Sequence, residues 1–146
     1  MNKRTSICIV LVIALLLSFA TSIQASAQEV GREEEVNDAR YEHTASTGAV
    51  LSFIDGVAVL SGSVSGYPNR TTQINGFLYL QHKIDSKWMI VKTWTGSVKD
   101  WSLDITGEAT GLSSGTYRVR FVTYVFEGSE SEEVVYISDE VVYKKK

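Results

Sequence analysis

Residues 112–126, LSSGTYRVRFVTYVF, constrain the fold more than any other stretch of the chain. Ser113-Ser114-Gly115 supplies a turn. Thr, Tyr, Val and Phe then dominate, side chains that suit a pleated, half-buried surface. Alternation puts Tyr117, Val119, Phe121, Thr123 and Val125 on one face and Arg118, Arg120, Val122, Tyr124 and Phe126 on the other. The two arginines mark the second face as the wetter one.

Short strands between turn signals fill the chain from Thr47 onward. Residues 49–54 and 57–65 flank Asp55-Gly56, the dipeptide of a two-residue type I′ hairpin. In the second of these strands Ala58, Leu60, Gly62 and Val64 share one face, and Ser61, Ser63 and Ser65 share the solvent side. A loop with the only proline, Pro68, leads into a strand over 72–83. Its apolar face carries Ile74, Leu78 and Leu80, and its other face carries Phe77, Tyr79, Gln81 and Lys83. Asp85-Ser86 turns the chain into 88–94. Trp101, Leu103 and Ile105 then alternate as the core side of the next strand. The long strand follows, then a turn at 127–130, then a strand over 133–142 that breaks near Ser138-Asp139. Seven strands with turns every 8–12 residues or so predict an all-β antiparallel sandwich. No stretch holds a helical period.

Leu112 and Gly115-Thr116-Tyr117-Arg118-Val119 resemble a corner of immunoglobulin-like and fibronectin type III sandwiches. In those folds a leucine precedes a short turn and a tyrosine opens the sixth strand. The tyrosine caps the core, and its hydroxyl bonds back to the turn. The resemblance implies that Tyr117 is this residue and that Leu112 packs beneath it. A broader resemblance spans roughly 46–137. Ser46-Thr47-Gly48, the run from Thr71 to Gln81, Lys87-Trp88 with Val91 and Trp94, and Gly115 to Val119 are together similar to small secreted proteins of Gram-positive bacteria. That family is defined only as a domain of unknown function. It implies a secreted single domain and brings no catalytic residues.

The first 27 residues have the layout of a signal peptide. Lys3 and Arg4 are basic, Ile7 to Ala20 is apolar but for Ser18, and Ala25-Ser26-Ala27 fits the cleavage pattern. The apolar run falls short of the roughly 20 residues that span a bilayer. Cys8 lies inside this segment, so the exported chain has no disulfide. Losing Lys3 and Arg4 takes the net charge from −3 to −5, which disfavours a nucleic-acid role. Residues 28–46 are rich in glutamate and poor in apolar residues, the composition of a disordered acidic lead-in. The sandwich is expected over 47–146.

Chemistry is sparse. His43 and His82 stand alone, His43 in the lead-in and His82 as a polar strand-end residue. No zinc spacing, phosphate loop or nucleophile elbow surrounds them. The carboxylates sit in charged loops (Glu130, Glu132, Glu133) and in the lead-in. No catalytic residue, metal site or cofactor is expected. Asn69-Arg70-Thr71 matches a glycosylation sequon, read as coincidence beside a bacterial-type signal peptide. Residues 144–146 are lysines that could blunt an edge or hold anionic wall polymers. The aromatics carry the only site hypothesis. If the strands at 72–83, 88–94 and 116–126 share a sheet, its outer face gathers Tyr79, Trp88, Trp94 and Tyr124 beside Arg118 and Arg120. A one-residue slip at 88–94 would instead bury both tryptophans. The chain therefore reads as a secreted, non-enzymatic binding module for a wall polymer, glycan or protein. Self-association is the alternative, and a hydrolase is the more distant one.

Overall fold

Asp55 and Gly56 both take positive φ (49° and 82°), as a type I′ turn requires, and join β1 (Thr44–Ile54) to β2 (Val57–Gly66). Asp85 and Ser86 (49° and 66°) make the same kind of turn, without a glycine, between β3 (Gln73–Ile84) and β4 (Lys87–Val98). β5 (Ser102–Ala109), β6 (Gly115–Glu127), β7 (Glu130–Ile137) and β8 (Val141–Tyr143) complete the chain. The computed structural model describes residues 41–146. The expected signal peptide and residues 28–40 of the expected lead-in lie outside them.

All strand pairs are antiparallel. One sheet runs β1-β2-β5 and the other β4-β3-β6-β7, with β8 also on β6. This is the expected immunoglobulin-like sandwich, with the strand order of its fibronectin III variety. The strand expected over 133–142 is two pieces, so eight strands are formed where about seven were anticipated. The break lies at Ser138, as the sequence suggested. Its Oγ accepts the Val119 N–H (2.9 Å), its own N–H donates to Val119 O (2.9 Å), and the chain then pairs again farther along the same edge of β6, opposite Gly115 to Tyr117.

The inward faces of the two sheets form the core. Leu60 and Val64 of β2 meet Ile74, Leu78 and Leu80 of β3 and Tyr117, Val119, Phe121 and Val125 of β6, all of them at most 2% exposed. Gly62 stands opposite Leu78 and Phe121. A Cβ there would come within 2.8 Å of both side chains, so the missing side chain lets the sheets close. The corner forms as the resemblance implied. The Tyr117 hydroxyl donates to Ser113 O at 2.8 Å, and Leu112 is buried.

Two expectations are corrected. The sandwich begins at Thr44, not Thr47. The Glu132 carboxylate accepts the backbone N–H groups of Glu42 (2.7 Å) and His43 (3.2 Å), and Thr44 is buried at 5% exposure. Trp101 is not core. It precedes β5, where its N–H donates to the Asp100 carboxylate and its carbonyl accepts the Gly66 N–H (2.8 Å). That loop geometry leaves the ring 44% exposed.

Candidate binding face

The outer surface of β4-β3-β6 is built by strand alternation and one interruption of it. On β6, Arg118, Arg120, Val122 and Tyr124 point away from the core; on β3, Phe77, Tyr79, Gln81 and Lys83 do so. Cross-strand pairing sets Gln81 beside Arg118, Tyr79 beside Arg120 and Asn75 beside Tyr124. On β4 the register shifts: Leu80 pairs with Lys92 and Gln81 with Ile90, which leaves Val91 as the extra residue of a bulge.

That bulge decides the fate of the two tryptophans. Positions 88 and 94 have the same parity, so an unbroken strand would put both rings on one face. With one residue inserted between them, Trp88 pairs with Lys83 on the outer face and Trp94 pairs with Leu78 on the inner one. The expectation that Trp94 belongs to the outer face is therefore wrong. Its ring packs against the core and lies over Gly107 of β5, where any Cβ would fall inside the indole's envelope. It also lines a shallow groove of about 600 Å³ with Val50, Ser52, Ser61 and Glu108.

The other five residues come together. The Arg118 guanidinium lies 4.1 Å from the Trp88 ring centroid, while its Nε donates to Gln81 Oε1 at 2.8 Å. Lys83 Nζ stands 5.2 Å from the same ring and 3.3 Å from Glu140 Oε1. Arg120 lies over Tyr79 at 6.0 Å. Phe77 stacks beside Tyr79 (centroids 6.4 Å apart) and meets Tyr124 edge-on at 6.3 Å. The result is a half-buried ladder of rings and guanidinium planes crossing three strands. Burial, and then the neighbouring Glu133 carboxylate, raise the pKa of Tyr124 above its ordinary value. Below Tyr124, Asn75 Oδ1 accepts from Gln73 Nε2 (2.8 Å) and Ser97 Oγ (2.7 Å).

Stacked cations have a chemical consequence. Arg118 covers one face of the Trp88 ring, and a guanidinium is the group that pairs with carboxylates and phosphates through its N–H fork. Alternation put Gln81 on this face, but its bond to Arg118 was not anticipated. Gln81 is 6% exposed, and its carbonyl accepts the Arg118 Nε–H beside the Trp88 ring. That contact depends on the pairing of Gln81 with Arg118, a register that no local sequence signal specifies.

Neither histidine belongs to the ladder. His82 lies on the core side, stacked on Tyr117 with centroids 4.3 Å apart and planes 5° from parallel. His43 Nδ1 is 3.0 Å from Glu127 Oε2. Arg70 forks onto the same carboxylate (2.9 and 2.8 Å), and the Arg70 bond, helped by His43, holds the Glu127 pKa below its ordinary value.

Searches of family models and of characterised proteins return no match to the chain.

Proposed function

We propose that this chain is an exported, non-enzymatic binding module whose outer β4-β3-β6 face takes an anionic cell-wall polymer. The observation that supports the reading is Arg118 seated 4.1 Å from the Trp88 ring centroid and bonded to Gln81, with Arg120 over Tyr79 on the next outward position of the strand. Alternate residues of a strand are roughly 6–7 Å apart. Two arginines at that backbone spacing suit a chain of repeated phosphates or carboxylates. The flanking rings add contact area with little rotamer freedom to lose.

Calorimetry with purified wall polymer, on the wild type and on Arg118→Gln, Arg120→Gln and Trp88→Ala, tests this. Each arginine variant is expected to weaken binding roughly tenfold, the scale of one charge-assisted hydrogen bond. The thermal midpoint should move little. Unaltered affinity in both arginine variants would remove the face from consideration. A dimeric solution mass with no polymer binding would favour self-association instead.

A further inference from the structure

The β3-β4 hairpin has apolar side chains where a solvated hairpin should be polar. Pairing places Ile90 on the outer face of the sheet and Met89 on the opposite one, yet they are 56% and 50% exposed, and Ile84 beside the turn is 48% exposed. Single exposed apolar residues are ordinary, but a run on both sides of one hairpin is not. The distribution is also one-sided. Of the eight large apolar side chains exposed in the described chain, six (Ile54, Ile84, Met89, Ile90, Val91 and Val142) stand in the half that contains this hairpin. Pairing of His82 with Tyr117 and of Gly115 with Tyr143 puts the β3-β4 turn, the start of β6 and the end of β8 at one pole.

Charge follows the same axis. Lys83, Lys87 and Lys92 lie on the hairpin, Arg118 beside it, and Lys144, Lys145 and Lys146 follow β8 at the same pole. Lys145 is fixed there by its N–H bond to Ser114 Oγ (2.9 Å). The carboxylates in this half are Asp55, Asp85, Glu108, Asp139 and Glu140, so cations outnumber them, even with Lys83 paired to Glu140. At the other pole Glu42, Asp100, Glu127, Glu130, Glu132 and Glu133 stand against Lys99 and Arg70, the latter bonded to Glu127.

We infer that this pole docks on the surface of an anionic lipid bilayer. Ile84, Met89 and Ile90 enter the headgroup boundary, Trp88 sits at interfacial depth, and Lys87 and the terminal lysines reach back to lipid phosphates. Asp85 at the turn keeps the contact shallow. A soluble anionic polymer would use the lysines but leave the apolar side chains in water, and they are what selects a membrane. The inference shares Trp88 and Arg118 with the polymer-binding face, but it rests on Ile84 and Met89, which lie off the ladder.

The test is flotation of the chain with vesicles of phosphatidylglycerol and phosphatidylcholine, compared with phosphatidylcholine alone. Binding is expected only to the anionic vesicles, with a blue shift of tryptophan emission. Lys87→Gln should weaken it roughly fivefold, as one lysine near such a surface contributes. Ile84→Ser with Met89→Ser should weaken it at least as much and lower the urea midpoint only slightly, since about half of each residue is already exposed. The inference is overturned if anionic vesicles fail to float the protein at low salt. It is equally overturned if the double serine variant floats as well as the wild type, which would mean charge attraction alone. Arg120→Gln serves as the control. It should lose polymer affinity and keep vesicle binding, so failure of one reading is distinguishable from failure of the other.

Discussion

Tyr117 joins three layers of contact in one side chain. Its hydroxyl holds the turn at Ser113, its ring stacks on His82, and its edge meets Phe53 at 5.5 Å, with Tyr143 6.5 Å away. The residue is 1% exposed, so the hydroxyl has no water to fall back on if its partner is lost. Tyr117→Phe removes the hydroxyl and leaves the Ser113 carbonyl short of a donor. The expected cost is about 1–2 kcal/mol, read as a lower urea midpoint with an unchanged slope. An unchanged midpoint would show that the hydrogen bond contributes nothing to the corner. Tyr117 and Leu112 were legible in the sequence because a turn tripeptide, a leucine and a strand-opening tyrosine sit at fixed offsets. The stack with His82 was not. It depends on the register between β3 and β6, which no local signal specifies.

At the scale of one strand, β4 shows where reading alternation fails. Period-two arguments assume an unbroken ladder, and Val91 breaks it. No glycine or proline marks the position. Neither the uniform reading, with both tryptophans outward, nor its slipped form, with both inward, describes the strand. The rest of the outer face was legible because β3 (apart from its bulge partner positions) and β6 alternate cleanly through Tyr79, Arg118, Arg120 and Tyr124. The bulge also separates the two tryptophans energetically. Trp94→Ala empties space against the core and over Gly107 and is expected to cost about 3 kcal/mol or more. Trp88→Ala removes a half-exposed ring and a cation contact, and should cost about 1 kcal/mol. Paired urea melts of the two variants check this, and equal losses would mean that the bulge does not divide them.

The sandwich as a whole is closed at its acidic pole by a clamp between the residues that lead into β1 and the β6-β7 hairpin. Glu132 takes two backbone donors from residues 42 and 43, and Glu127 takes His43 and Arg70. Because the folded Glu127 pKa is depressed, its contribution is present above the ordinary glutamate value of 4.5 and is lost as pH falls through the folded value. The urea midpoint should therefore drop on acidification below that range. Glu127→Gln should flatten the drop relative to the wild type. Parallel acid limbs in the two proteins would place the sensitivity elsewhere.

The same clamp stands at one end of β6 and the lysine-bearing hairpin at the other. β6 has 13 residues, roughly 40 Å of strand at about 3.3 Å each. In electrical terms β6 runs between ends of opposite charge excess among the described residues, and an anionic surface would exert a torque on the sandwich as well as a pull. At 0.1 M salt the Debye length is about 10 Å, a quarter of that strand. The torque then acts only within the last layer of approach. In dilute salt it extends along most of the strand, so the molecule arrives already turned, hairpin first.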